Sequence, residues 1–84
     1  MAEVETFFIQ PFHIHRKRLA PSQRVASKTR HHALANGRRI AMGKAGAAVM
    51  RVVADDETGE LSQVEVLERF GDIPEEFEAQ IRAL

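Results

Sequence analysis

The sequence predicts a single α+β domain of order ββαββα, a four-stranded, mainly antiparallel sheet with one helix packed on a face and a short C-terminal helix. Three observations carry this. Residues 47–54 and 63–70 are two apolar, β-branched runs around an acidic loop holding Thr58-Gly59, the pattern of a hairpin. Between residues 29 and 44, small and apolar residues recur at helical spacing. After Gly71, the run Asp72-Ile73-Pro74-Glu75-Glu76 opens a second helix, with proline in the first turn and carboxylates where the macrodipole favours them.

Taken in order, residues 1–5 are expected to be disordered and residues 6–14 to form the first strand. Phe8, Gln10, Phe12 and Ile14 share one face of it, and Phe7, Ile9, Pro11 and His13 the other. Pro11 cannot donate to a ladder, so this is either an edge strand or one whose ladder is interrupted there. The run HRKRL at 15–19 and Ala20-Pro21-Ser22 read as an exposed connection before a short second strand at 23–26.

Ser27 or Thr29 caps the helix, which runs to about Lys44, with Ala33, Gly37, Ile40, Ala41 and Lys44 on one face. That face is small enough for the backbone to approach a sheet closely. In the hairpin, Val64, Val66, Glu68 and Phe70 alternate against Glu65, Leu67 and Arg69. The helix is expected to cover one sheet face, leaving Phe7, Ile9, Val52 and Leu67 partly available on the other. Such a face wants a C-terminal helix or a dimer mate. The terminal helix has its own apolar stripe, Phe77, Ile81 and Leu84, for contact with the sheet or a second copy.

With 84 residues there is room for one small domain, and the 44% apolar and 29% charged composition is that of a globular chain. Cysteine is absent, which removes disulfides, thiolate metal sites and thiol nucleophiles together. With no basic leader and no long apolar run, the expected location is the cytoplasm, away from membranes.

Charge is the most pointed feature. The first 53 residues carry ten Lys/Arg against Glu3 and Glu5, whereas the last 31 carry ten Asp/Glu against Arg69 and Arg82. A formally neutral chain is therefore a basic half joined to an acidic half, a pattern associated with nucleic-acid or protein contact. Arg16, Lys17 and Arg18 in the first connection, with Lys28, His31, His32, Arg38 and Arg39 on and beside the helix, are the candidate contact residues.

The pieces Phe8-Ile9-Gln10-Pro11-Phe12, Arg38-Arg39-Ile40-Ala41, Asp56-Glu57-Thr58-Gly59-Glu60 and Phe70-Gly71-Asp72-Ile73-Pro74 together resemble a group of small uncharacterised bacterial one-domain proteins. The resemblance spans most of the chain and rests on turn and packing signals. It implies a fold and no activity.

Other chemistry is weaker. His13 and His15 share a strand face and His31 or His32 could reach them to hold zinc, but no nearby carboxylate orients the set and cations crowd it. The acidic loop at 55–60 lacks the ligand spacing of a calcium site. No nucleophile elbow or phosphate loop occurs, so the expectation is no enzyme, no metal and no cofactor. The sequence thus reads as a non-catalytic interaction module that binds a protein partner or itself through complementary basic and acidic patches. The alternative is a nucleic-acid-binding protein using the basic loop and helix.

Overall fold

The computed structural model describes residues 2–82, in the order β1 (Glu3–His15), β2 (Arg18–Pro21), β3 (Val25–Ser27), α1 (Arg30–Met42), β4 (Gly46–Asp55), β5 (Leu61–Gly71) and α2 (Glu75–Arg82). The sheet is antiparallel, ordered β2-β1-β4-β5, with β3 pairing β1 on the same side as β2. It has five strands instead of four because the expected connection and second strand resolve into two short strands. No helix among the described residues is long and apolar enough to cross a membrane.

β1 is the spine. It begins at Glu3, inside the stretch expected to be disordered, and pairs β4 from Glu3↔Asp55 to Phe12↔Gly46. Its other side pairs β3 at residues 7–9 and β2 at residues 12–15. Pro11 falls in the gap between these two short strands, so β1 is a central strand with an interrupted ladder. The break is closed by side chain and backbone. The buried Gln10 amide donates to the Ser22 carbonyl at 2.7 Å and the Pro11 carbonyl at 3.0 Å, and the Ser22 N–H donates to the Pro11 carbonyl at 2.9 Å. A buried amide needs such partners.

Thr29 is the helix cap, its hydroxyl accepting from the His32 N–H at 3.2 Å. α1 ends at Met42, where the Gly43 N–H bonds the Ile40 carbonyl. Lys44 therefore lies beyond the helix and off its packed face. Ala33 and Gly37 are buried, and a Cβ on Gly37 would sit 2.5 Å from Val49 Cγ2. Glycine is required here by the closeness of helix to sheet.

The core beneath α1 is Phe7, Ile9, Ala33, Ala47 and Val49, with Leu34, Ile40, Ala41, Leu67 and Phe70 packed against it. This corrects the expected face assignment, since Phe7, Ile9 and Leu67 lie under the helix and only Val52 belongs to the open face. The expected alternation in β5 fails as well. Val49 pairs Glu68 and Met50 pairs Val66, leaving Leu67 as an extra residue. Such a bulge exchanges faces. Val64 and Val66 face away from α1, whereas Phe70, opposite Ala47, faces it.

α2 folds back over the open face, with the Phe77 ring edge-on to Phe12 at 5.1 Å between centroids and Glu78 bonded to Arg69. Of the apolar stripe expected on this helix, Phe77 thus meets the chain's own sheet. Leu84 and the side chain of Ile81 lie outside the described residues.

Candidate interaction site

The face that α1 leaves uncovered is built by alternation. Val4, Thr6, Phe8, Gln10 and Phe12 of β1 stand beside Met50, Val52 and Ala54 of β4 and Val64 of β5, and together they line a groove of about 720 Å³. Pro74 and Phe77 wall one end, while Leu19, Pro21 and Arg24 stand along one side. The Arg24 guanidinium lies 5.2 Å from the Phe8 ring centroid, a cation–π contact that keeps the cation at the rim. At the other end Val4 is 47% exposed and Leu61 49%.

The groove is poor in reactive groups. Its Gln10 amide is already spent on backbone carbonyls. The Asp55 carboxylate accepts the N–H groups of Glu57 at 2.8 Å and Thr58 at 3.0 Å, and the Thr58 and Glu57 backbone bonds hold its pKa below the usual carboxylate value. What the face offers is apolar contact with a few charges at its margins.

Folding also converts the sequence's two charged halves into two edges. Residues 16–28, which form the β2–β3 edge, contain five Lys/Arg and no carboxylate, whereas residues 60–79, which form β5 and most of α2, contain seven carboxylates and one Arg. β1 and β4 lie between them.

A third feature is a basic arm. Beyond the Phe12↔Gly46 pair, His13, Ile14 and His15 pair only with Ala20, Leu19 and Arg18, so a two-stranded ribbon projects past β4. Its two-residue turn places Arg16 at φ 52° and Lys17 at φ 67°. Both are left-handed, the geometry of a type I′ turn that normally favours Asn-Gly, at a cost of roughly 1–2 kcal/mol per bulky residue. Alternation sorts the arm's side chains. Ile14 and Leu19 continue the groove side; His13, His15 and Arg18 face the α1 side.

The remaining predicted contact residues are all exposed. Arg38 and Arg39 occupy the last turns of α1, and the Ala45 N–H bonds the Phe12 carbonyl at 3.0 Å, bringing that end of the helix and Lys44 to the root of the arm. Lys28, His31 and His32 lie at the opposite end of α1, beside β3. Arg39 donates to Asn36 Oδ1 at 3.0 Å. Ion pairs among the described residues involve Arg51, with Glu5 and Glu65, and Arg69, with Glu78; Arg16, Lys17, Arg18, Lys28 and Arg38 have no carboxylate partner there.

The histidines form two pairs on different elements, His13 with His15 at 6.3 Å and His31 with His32 at 6.1 Å between ring centroids. His13 Nδ1 sits 2.7 Å from the Ser22 hydroxyl. No group of three or more His, Cys, Asp or Glu suited to a metal ion occurs among the described residues.

Sequence reasoning missed three contributors: Arg24 at the groove rim, Lys44 at the arm root, and Phe8 as a groove floor residue. The strand alternation already separated Phe8 from Phe7, but it carried no sign of which set the helix would take. No family model matches this chain, and neither curated proteins nor solved structures give a match.

Proposed function

We propose that this chain is a non-catalytic interaction module that pairs with a second copy of itself, open sheet face to open sheet face. The observation that carries this reading is the apolar groove left uncovered between oppositely charged edges. A two-fold axis parallel to the central strands exchanges the edges, laying the basic β2–β3 edge of one copy over the acidic β5–α2 edge of the other. A two-fold axis across the strands instead brings the acidic β4–β5 loop of one copy against the acidic start of α2 in the other. Electrostatics therefore favours the first arrangement.

Size supports it too. The molecule measures 44 × 26 × 17 Å, so its broad face exceeds the about 800 Å² per partner of a standard interface. Sedimentation over a wide concentration range tests the proposal. A dimer is expected, weakened by added salt and by Arg24→Glu, and dissociated by Val52→Glu without loss of the circular dichroism signature. A monomer at every concentration, or a dimer indifferent to Val52→Glu, overturns it.

A further inference from the structure

The geometry points to a second contact surface, on the opposite side of the sheet, that binds the phosphate backbone of double-stranded nucleic acid. It consists of the arm, Arg16, Lys17 and Arg18 with His13 and His15, together with Lys44, Arg38 and Arg39 at the adjoining end of α1. His13, His15 and Arg18 of the arm and Arg38, Arg39 and Lys44 at the end of α1 lie on the side of the sheet away from the groove, so the inference does not rest on the dimer, even though Arg16, Lys17 and Arg18 also belong to the basic edge.

Shape comes first. A ribbon of two strands is one of the few protein elements that fits the major groove of B-form DNA, and this one projects clear of β4. With about 10 Å of arm and about 9 Å from Arg38 to Lys44, the cationic surface runs roughly 20 Å, a little over half of the 34 Å of one duplex turn.

Charge presentation comes second. Arg16, Lys17, Arg18 and Arg38 have no carboxylate partner among the described residues, in contrast to Arg51 and Arg69 on the sheet. The arm's apolar side chains, Ile14 and Leu19, lie on the face away from His13, His15 and Arg18. On the arm the cations are thus offered on a face without large apolar side chains, which suits phosphates better than a protein interface, whose centre is depleted of charge, while at the end of α1 the exposed Met42 stands among the cations. The left-handed turn adds a third mark. Two bulky cations occupy the positions where Asn-Gly is favoured, and unfavourable backbone conformations of this kind concentrate at functional sites.

The test is fluorescence anisotropy of the full chain with a labelled mixed-sequence duplex at about 50 mM and about 200 mM salt. Four phosphate contacts give a log–log salt slope of about −3.6 and a roughly hundredfold loss of affinity between those salts. The fourfold variant Arg16→Glu, Arg18→Glu, Arg38→Glu, Arg39→Glu is expected to abolish binding. Should it lose its circular dichroism signature, the milder pair Arg16→Gln and Arg18→Gln is expected to reduce the slope by about 1.8. No binding at low salt overturns the inference, as does binding that survives charge removal with an unchanged slope. Equally tight binding of poly-glutamate also overturns it, and reassigns the surface to an acidic protein partner.

Discussion

The helix side and the groove side of this sheet are made by alternate residues of the same strands, yet one is closed by α1 and the other is covered only in part. Under α1, Ile9, Ala47 and Val49 are completely buried and Gly37 lets the helix settle against Val49. On the groove side Phe12, Met50 and Gln10 are buried, but Val52, Phe8 and Val64 are only half-buried, and among the described residues the face is covered in part by Phe77 of α2 at one end and by Arg24 over the Phe8 ring. The tighter packing thus lies under α1, and the proposed pairing contact falls on the other side of the same sheet.

Substitutions at matched positions sharpen this contrast. Ile9→Ala on the closed side is expected to cost about 3–4 kcal/mol, from lost transfer energy and an unfilled cavity, and to lower the urea midpoint sharply. Val52→Ala on the open side is expected to cost about 1 kcal/mol or less in the monomer. Equal losses at the two sites would break the comparison. Gly37→Val is next, about 2–3 kcal/mol, because the new side chain enters the space of Val49 and Phe70. Thermal unfolding reads it directly.

A smaller effect of opposite sign is expected at the arm. Replacing Arg16-Lys17 through Arg16→Asn and Lys17→Gly puts the favoured residues at two left-handed positions and is expected to raise stability by about 1 kcal/mol while weakening duplex binding. A loss of stability there would show that the two cations serve the fold rather than a contact.

The smallest effect concerns acid. Asp55 has a folded-state pKa held below its unfolded value by the Thr58 and Glu57 N–H groups. Its contribution is present above the unfolded value near 3.9 and is lost as pH falls through the lower folded one. Asp55→Ala is therefore expected to lower the melting temperature slightly at pH 6 and not at about pH 2, where wild type and variant converge.

Much of the fold was legible because turn chemistry is local. Thr58-Gly59 marked the hairpin, Ser27 or Thr29 the helix start, of which Thr29 is the cap, and Pro74 the second helix, which begins one residue later at Glu75. The errors are all non-local. Pro11 left open whether β1 was an edge, and only the split of its partner into β2 and β3 around Ser22 shows how a central strand accommodates a proline. Period-two patterning divides a strand into two sets of side chains but does not say which set the helix covers. The bulge at Leu67 then exchanges the sets within β5, and a single extra residue has no signature in a run such as Val-Glu-Val-Leu-Glu-Arg-Phe. The candidate contacts suffered likewise: the basic residues were visible by composition, and their sorting onto one edge and one side came only with the pairing.

The length of β1 has one more consequence, for the order of assembly. This strand is synthesised well before its main partner, β4, and Glu3 must wait for Asp55. The β4–β5 hairpin is closed by a short loop and can form in microseconds, whereas β1 joins across a long intervening chain, the slow kind of contact. Until then Phe7, Phe8, Ile9 and Phe12 lie in a β-prone segment whose β4 side is unpaired, the sort of edge that recruits neighbouring chains. Arg16, Lys17 and Arg18 follow immediately, and cations flanking such a run oppose the association of like chains.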